Sequence, residues 1–241
     1  DRLDQSFTYD HGGNMKSNTW KPAISGPQNT WNYVYTTASP PHTPTRITDG
    51  TNTLWNLTYD ENGNMTTMDA PGAGPVYRDI VFDGENRPKT VTFGGVTPHY
   101  EYGPMGARVR KERVSGGSSE VTRWLGADYE LQHDGTIVKH VTPDARFEKD
   151  PGTGNNKLAI LHADHLGSIK LITNGAGDVA VRRQYRPYGD FTDLESILAT
   201  TNAPETKGYI GERFDADVGL QYLNARFYDP VLGRFVSPDW L

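Results

Sequence analysis

The stretch LTYDENGNM at residues 57–65 follows the same pattern as FTYDHGGNM at residues 7–15. Each copy contains a Tyr-Asp pair, Tyr9-Asp10 in the first and Tyr59-Asp60 in the second. In the second copy Asn62-Gly63 follows the pair, and this dipeptide is a strong hairpin signal because both residues tolerate positive φ. The Asp60 carboxylate is expected to accept hydrogen bonds from turn amides. Each copy therefore predicts one β-hairpin.

Two weaker copies follow, VFDGENRPK at residues 81–89 and YEYGPMGARV at residues 100–109. The aromatic positions Tyr9, Tyr59, Phe82 and Tyr102 are 50, 23 and 20 residues apart, which gives a unit of about twenty residues. A single hairpin is marginally stable in water, so neighbouring hairpins must pair edge to edge. Because sheets twist, the predicted fold is all-β, an array of antiparallel hairpins in a curved or spiralling sheet.

The composition excludes several classes of protein. The 241 residues include 26 Gly, 16 Pro, 13 Tyr, 8 Phe and 5 Trp, which is too aromatic for a disordered chain. No apolar run approaches the ~20 residues of a membrane helix, so this segment is not expected to insert into a membrane. The absence of Cys excludes disulfides, thiolate nucleophiles and zinc-thiolate clusters. A net charge of −6 argues against a nucleic-acid partner.

One short stretch has a helical pattern. Residues 192–200 read TDLESILAT, in which Leu194, Ile197 and Leu198 fall on one helical face behind a capping Thr192 or Asp193. This stretch is the one helix that the sequence predicts.

The repeats resemble the tyrosine-aspartate repeats of bacterial Rhs and YD-repeat proteins, of the C component of insecticidal toxin complexes and of the teneurin shell. Residues 162–189 are similar to the family's H-x-D-H-L-G-S strand with its following hairpin and Tyr-x-Pro-(Tyr/Phe)-Gly turn. Residues 207–241 are similar to the Rhs-repeat-associated core almost position by position. The resemblance implies a YD-repeat hairpin strip over residues 1–125 and an Rhs-repeat-associated core over residues 126–241, continuous with the strip.

The resemblance also implies a function. Such proteins form a hollow shell that encloses a variable C-terminal toxin, so the expected partners are the remainder of the YD shell, a C-terminal toxin domain and a secretion apparatus. The expected location is secreted or at the bacterial cell surface, with any signal outside this segment. No cofactor is expected. The chain starts without Met and stops inside the core motif, so it is expected to be a piece of a longer protein.

A second function comes from the same resemblance, because many members carry an aspartyl autoprotease in the core. Asp239, in Ser237-Pro238-Asp239, matches the first Asp of the family's S-x-D-P segment, although Trp240 stands where the family has Pro. The downstream half of the motif is missing. An aspartic dyad needs two carboxylates that share a proton, so this chain on its own is expected to hold at most part of such a site.

Three further residues of the core suggest structural roles. Asp229 precedes Pro230 and is expected to cap a turn by accepting backbone N–H bonds, with catalysis as the alternative. Arg226 and Arg234 lie near the acids in sequence and are expected to pair with them. These three residues, with Tyr9, Asp10, Tyr59 and Asp60, form the predicted structural motif.

Two other groups of residues suggest binding. His162, Asp164 and His165 contain metal-ligating side chains, but adjacent strand residues point to opposite faces, so no metal site is predicted. The five tryptophans are expected in the core, and their alternative is a sugar-stacking surface of an extracellular adhesion module. They are Trp20, Trp31, Trp55, Trp124 and Trp240.

Overall fold

A computed structural model describes residues 4–21, 27–72, 77–115, 117–196 and 205–239. These residues form strands, turns and one short 3-10 segment at Tyr209–Gly211, so the all-β prediction is confirmed. The chain divides into two compact units. Unit 1 comprises residues 1–94 and 236–241, and unit 2 comprises residues 95–235.

Unit 1 is a strip of antiparallel strands in which each strand pairs with the next along the chain. The strands are β1 Gln5–Tyr9, β2 Met15–Trp20, β3 Asn29–Tyr35, β4 Pro44–Thr48, β5 Thr53–Tyr59, β6 Met65–Asp69, β7 Arg78–Phe82 and β8 Pro88–Phe93.

Unit 2 contains a second strip with the same antiparallel connectivity. Its strands are β9 His99–Tyr102, β10 Arg108–Ser115, β11 Ser118–Trp124, β12 Tyr129–Leu131, β13 Ile137–Thr142, β14 Ala145–Lys149, β15 Asn156–Ala163, β16 Ile169–Asn174, β17 Val179–Tyr185 and β18 Phe191–Ser196. A four-stranded sheet follows, with β19 Arg213–Asp215, β20 Leu220–Leu223, β21 Arg226–Asp229 and β22 Arg234–Phe235.

The helix predicted at residues 192–200 is wrong where the structure describes it. Residues 191–196 form β18 and pair with β17 in an antiparallel ladder. Because a neighbouring strand offers a full set of backbone partners, tertiary pairing overrides the local helical pattern. Residues 197–200 lie outside the described residues.

Among the described residues, one five-residue turn recurs in eight hairpins. The N–H of its first residue donates to the C=O of the fifth, and the N–H of the fourth donates to the C=O of the first. The fourth residue has a positive φ in every case, and it is Asn86 in one turn and glycine in the other seven. The eight turns begin at residues 10, 60, 83, 103, 132, 164, 174 and 186. The four repeats read from the sequence are therefore half of a longer series.

In five of these turns the side chain of the first residue, an aspartate or asparagine, supports the turn. The Asp60 carboxylate accepts the N–H groups of Asn62 and Asn64 at 3.0 and 2.9 Å, as the sequence predicts. The same two bonds, to the residues two and four positions later, are made by Asp10, Asp83 and Asp164. In the turn at 174–178 the amide oxygen of Asn174 makes them.

The tyrosine that precedes a turn ties its strand to the strand before it. The hydroxyl of Tyr59 donates to the carbonyl of Pro44 at 3.0 Å. Tyr35 makes the matching bond to Met15, and Tyr185 makes it to Ile169. These tyrosines therefore connect neighbouring hairpins, while the aspartates act within one hairpin.

The strip of unit 1 has one apolar and one threonine-rich face. Residues paired across antiparallel strands share a face of the sheet. By the strand register, the buried apolar side chains all lie on the same face: Trp20, Tyr33, Ile47, Leu57, Met68, Ile80 and Val91. On the other face, Thr58 bonds Thr67 at 2.6 Å and Thr19 bonds Thr30 at 3.0 Å.

The turn at 164–168 provides a test of the side-chain support. Partial burial opposes ionisation of Asp164, but the backbone N–H bonds from Ser168 and Leu166 outweigh it and lower its pKa below 3.8. We expect Asp164→Ala to reduce the free energy of unfolding in urea by about 1 kcal/mol at pH 7. Asp164→Asn should cost less, because Asn174 already fills this role. The advantage of Asp over Asn should be complete above about pH 4 and disappear as the pH falls through the lowered pKa. Equal stability of the Ala and Asn variants would contradict this account.

Candidate functional site: the C-terminal cap and its charged seat

On β12, β13 and β14 the buried face of the unit 2 strip carries several charged side chains, whereas the buried face of unit 1 is mainly apolar. Glu130, Val138 and Glu148 lie side by side across β12, β13 and β14, and His140 lies opposite Arg146. All four ionisable residues are at most 6% exposed. Because isolated charges are costly to bury, this face needs partners of opposite charge. We call it the charged seat, and we call residues 205–235, which lie on it, the cap.

The first ion pair between the cap and the seat joins Arg213 in β19 to Glu130 in β12. Arg213 also donates to the Thr206 hydroxyl at 2.9 Å and to the Ala127 carbonyl at 3.0 Å. On its other side Glu130 is bonded by His140 at 3.3 Å. Burial opposes ionisation of Glu130, but the His140 hydrogen bond and the Arg213 charge outweigh it, and its pKa falls to about 2.

The second pair joins Arg108 in β10 to Asp215 in β19 at 2.5 Å. The guanidinium also lies over the rings of Trp124 and Tyr222, at 4.2 and 4.5 Å from their centroids. Burial opposes ionisation of Asp215, but the charges of Arg108 and Lys111 outweigh it and lower its pKa. The planar guanidinium can pair with a carboxylate and stack on rings at once, which an ammonium group cannot match.

The start of the cap is held by Arg183 of β17. Its guanidinium donates to the carbonyls of Glu205 and Lys207 at 2.7 and 2.6 Å. The Glu205 carboxylate accepts the N–H of Lys207 at 2.7 Å and lies 3.6 Å from Arg146 of the seat. The first two attachments thus place a carboxylate and a guanidinium of the strip against the two ends of β19, and the third holds the start of the cap.

The cap also binds the turns along one edge of the strip. The connections after β9, β11, β15 and β17 lie at the same edge, because consecutive strands are antiparallel. The cap makes a hydrogen bond at each of them, to the Arg108 N–H, the Ala127 carbonyl, the Ile169 N–H and the Pro187 carbonyl. The cap therefore covers this edge of turns.

Gly189 shows how closely the cap fits. It has a φ of 90° at the fourth position of its turn, and a β-carbon added there would lie 2.5 Å from the Tyr209 ring. The Tyr209 hydroxyl donates to the Pro187 carbonyl at 2.6 Å, and the Tyr228 hydroxyl donates to the Tyr188 carbonyl at 3.0 Å. The turn accepts glycine or asparagine at its fourth position, but here the cap leaves room for glycine alone.

The three residues predicted to have structural roles in the Rhs-repeat-associated core, Arg226, Asp229 and Arg234, lie in the cap. Asp229 is fully buried, and its carboxylate accepts the N–H groups of Val231 and Leu232, both at 2.9 Å. Arg234 lies directly opposite Asp229 in the β21–β22 pair. The Arg226 guanidinium lies 3.7 Å from the centroid of the Phe235 ring. Asp229 thus holds the tight turn that leads into β22.

The remaining predicted residues lie in unit 1 or on the strip of unit 2. Asp239 is an exposed residue of unit 1, and its catalytic role stays a prediction. Tyr9 is 47% exposed at the end of β1. His162 bonds the Thr173 hydroxyl at 3.0 Å, while Asp164 supports its turn. His165 lies at the tip of that turn.

The tryptophans occupy two environments. Trp20, Trp31 and Trp55 form an edge-to-face row that continues through Tyr77 to Phe93, with ring centroids 4.8–6.3 Å apart. Trp124 is buried beside Arg108. Trp240 lies outside the described residues.

Sequence reasoning missed the residues that hold the cap: Arg108, Glu130, Arg183, Arg213 and Asp215. Each is a charged residue on or beside a strand, and side-chain alternation assigns such a residue to the exposed face, as with Glu130 between Tyr129 and Leu131. Because such a residue reads as an exposed position until its partner is known, the pattern alone does not reveal the pair.

The fold defines a class, the strip of tyrosine-aspartate hairpins closed at one edge by a C-terminal cap. A family model described as Teneurin YD-shell matches residues 1–78. In the crystal structure of TcdB2-TccC3, the matching region has a TM-score of 0.77 and 21% identity, and covers 99% of this chain and 12% of that one.

Two curated proteins are also similar. Double-stranded DNA deaminase toxin A of Burkholderia cenocepacia is 26% identical over 75% of this chain and 15% of its own length. The tRNA3(Ser)-specific nuclease WapA of Bacillus spizizenii is 27% identical over 97% of this chain and 9% of its own length. The chain thus spans at most 15% of these relatives. The Teneurin YD-shell model thus matches the first third of the chain, and the likeness to TcdB2-TccC3 shows the same fold over nearly all of it.

The depressed pKa of Glu130 predicts how the cap responds to acid. The stabilisation from its ionised form is complete above about pH 4.5, the ordinary value, and is lost as the pH falls toward about 2. We expect acid to weaken unit 2 by about 3 kcal/mol through this group. The measurement is urea unfolding from pH 6 to pH 2.5, followed by Trp fluorescence. Glu130→Gln should flatten this pH dependence, and an unchanged slope in that variant would contradict the assignment.

The buried Arg108–Asp215 pair gives a second prediction. Arg108→Met leaves the Asp215 carboxylate buried without its main partner and should lower the free energy of unfolding by about 3–5 kcal/mol. The double variant Arg108→Met/Asp215→Leu should recover much of that loss, because it removes both charges. A double-mutant cycle measured by urea unfolding gives the coupling. Additive single costs would show that the two residues do not act as a pair.

Proposed function

We propose that this chain is a wall and cap segment of a YD shell that encloses a C-terminal toxin. The observation that carries the proposal is the cap, which bonds to four connections along one edge of the strip and buries its ion pairs there. If the cap only stabilised the strip, it could pack on any part of the strip. It instead covers the row of turns at one edge, as expected for a segment that closes the edge of a shell wall.

The activities named for two similar proteins support the proposal. One relative is named as a DNA deaminase toxin and another as a tRNA nuclease, and this chain corresponds to at most 15% of either. We infer that the toxic activity belongs to a different part of such proteins and that this chain supplies the enclosure. Its partners are then the remainder of the shell, a downstream toxin domain and a secretion apparatus.

We propose a secreted or bacterial cell-surface location, in line with the shell family. Within the described ranges, the structure has no helix long and apolar enough to cross a bilayer. Asp239 remains the proposed first carboxylate of an autoproteolytic site that would separate wall from toxin. A dyad takes two carboxylates, so that activity needs a second acid in addition to Asp239.

Protease protection of the toxin tests the proposal in the complete reading frame that contains this segment. The toxin portion should resist a nonspecific protease and stay inactive while the cap is in place. Gly189→Ala should expose it, because the new β-carbon would meet the Tyr209 ring at 2.5 Å. Gly177→Ala is the matched control, since Gly177 has nearly the same φ, 91° against 90°, and has no neighbouring atom within 4 Å of the added carbon.

Two outcomes would overturn the enclosure. The first is a wild-type toxin portion that is digested as fast as the same portion expressed alone. The second is equal exposure of the toxin in the Gly189→Ala and Gly177→Ala proteins, since turn strain alone would then explain the effect.

A further inference from the structure

The residue after each shared turn has an unusual backbone position. In the hairpin of β5 and β6, which contains the second tyrosine-aspartate pair, Asp60 and Asn64 form the closing hydrogen-bonded pair. The Asp60 N–H donates to the Asn64 carbonyl at 3.0 Å. The next pair outward is Tyr59 with Met65. Antiparallel pairs alternate between hydrogen-bonded and non-hydrogen-bonded. The Met65 N–H therefore points away from β5 and is available to another segment.

C-terminal residues use this position in three hairpins. In unit 2, the Arg108 N–H donates to the Tyr222 hydroxyl at 2.7 Å, and the Ile169 N–H donates to the Gly208 carbonyl at 2.9 Å. In unit 1, the Met65 N–H donates to the Val236 carbonyl at 2.7 Å. The shared turn thus creates a docking point one residue beyond its end.

The contact in unit 1 has packing as well as a hydrogen bond. Met65 and Val236 are each 1% exposed, and Ser237 is 4% exposed. A β-carbon added to Gly63 would lie 3.6 Å from the Pro238 ring, so the glycine at the tip of the turn is next to the segment. Asp239 follows directly and is exposed. Val236 and Ser237 are thus buried, whereas Asp239, two residues further on, faces solvent.

We propose that the second tyrosine-aspartate hairpin is a clamp for residues 236–238. Its Met65 N–H binds the segment, its Gly63 lies beside Pro238, and together they fix the place where Asp239 faces solvent. Met65 and Gly63 are thus positioning residues for whatever Asp239 does. The purpose of the clamp in shell closure or toxin release rests on the proposed function, but the clamp itself is tested on this chain alone.

The chain contains no Cys, so a single introduced thiol reports opening of the clamp. Ser237→Cys places the thiol in the clamped segment, and its reaction with a maleimide measures how often the segment leaves. Ser168→Cys, at a position 1% exposed in unit 2, provides the reference thiol. Labelling is measured separately in each single-thiol protein.

Met65→Pro removes the donating N–H. The third repeat already has Pro88 at this position after its turn, so the hairpin accommodates proline there. We expect labelling of the thiol at position 237 to become about five- to tenfold faster, the factor that corresponds to one backbone hydrogen bond. The labelling rate of the reference thiol at position 168 should stay unchanged. Met65→Leu keeps the N–H and should leave both rates within about twofold of the parent.

A matched pair of glycine substitutions gives an independent measurement, which is needed if Met65→Pro disturbs the hairpin itself. Gly63→Asn and Gly13→Asn place the same residue at the same turn position, with φ of 84° and 80°, and Asn86 occupies this position in the third repeat. A β-carbon added at Gly63 would lie in ordinary contact with Pro238 at 3.6 Å and Pro40 at 3.8 Å, so the larger Asn side chain is crowded beside the segment, whereas a β-carbon added at Gly13 has no atom within 4 Å. Gly63→Asn should therefore speed labelling at position 237 several-fold, and Gly13→Asn should not.

The clamp is overturned if Gly63→Asn and Gly13→Asn give the same labelling rate at position 237, or if Met65→Pro leaves that rate at the parent value. Either result would show that residues 236–238 are held by other contacts. Neither depends on a toxin being present, so failure of the clamp and failure of the enclosure are separate outcomes.

Discussion

The left-handed fourth residue of the shared turn is the constraint on which the structure depends. It closes a five-residue connection with two backbone bonds and leaves a bulge beside the turn, so each hairpin has one register. A slip of one residue would exchange the two faces of the strip. The same geometry directs one N–H outward, and three such groups receive C-terminal residues. Register, burial and docking thus have a common origin in a glycine or asparagine at one position.

The two units bury their strips by different means. In unit 1, apolar and aromatic side chains share one face, and threonines pair on the other. In unit 2, the equivalent face is apolar on β15 and β16 but charged on β12 to β14, where ion pairs with the cap compensate for the desolvation of the charges. Hydrophobic packing tolerates many arrangements, whereas a buried charge accepts few, because displacement leaves a partner unpaired at a large cost. We infer that the charged seat specifies where the cap lies, in addition to stabilising it.

This specificity connects the fold to the proposed enclosure. The cap is held by Arg108, Glu130 and Arg183 of the strip and by the turns at its edge. Each contact uses a group that the hairpin array already provides, either a turn amide, a turn carbonyl or a strand side chain. A wall built of repeats can thus carry a closing element without a separate domain interface. The tyrosine bonds between neighbouring hairpins keep the spacing on which these contacts depend.

The sequence by itself determined the all-β class, the hairpin unit and the supporting role of Asp60, because these follow from φ preference, side-chain alternation and bonds within a few residues. The tyrosine-aspartate pattern placed four of the eight described turns, and the resemblance added the hairpin after residues 162–168 and the turn that contains Gly189. The turns that begin at Gln132 and Asp164 were missed, because no Tyr-Asp or Phe-Asp pair marks them. Residues 192–196 were misread, since pairing with β17 outweighs a helical pattern. Only the tertiary structure joined Arg108 to Asp215 and Glu130 to Arg213. Those partners are 107 and 83 residues apart, and nothing local in a strand distinguishes a charge that faces water from one that faces its partner.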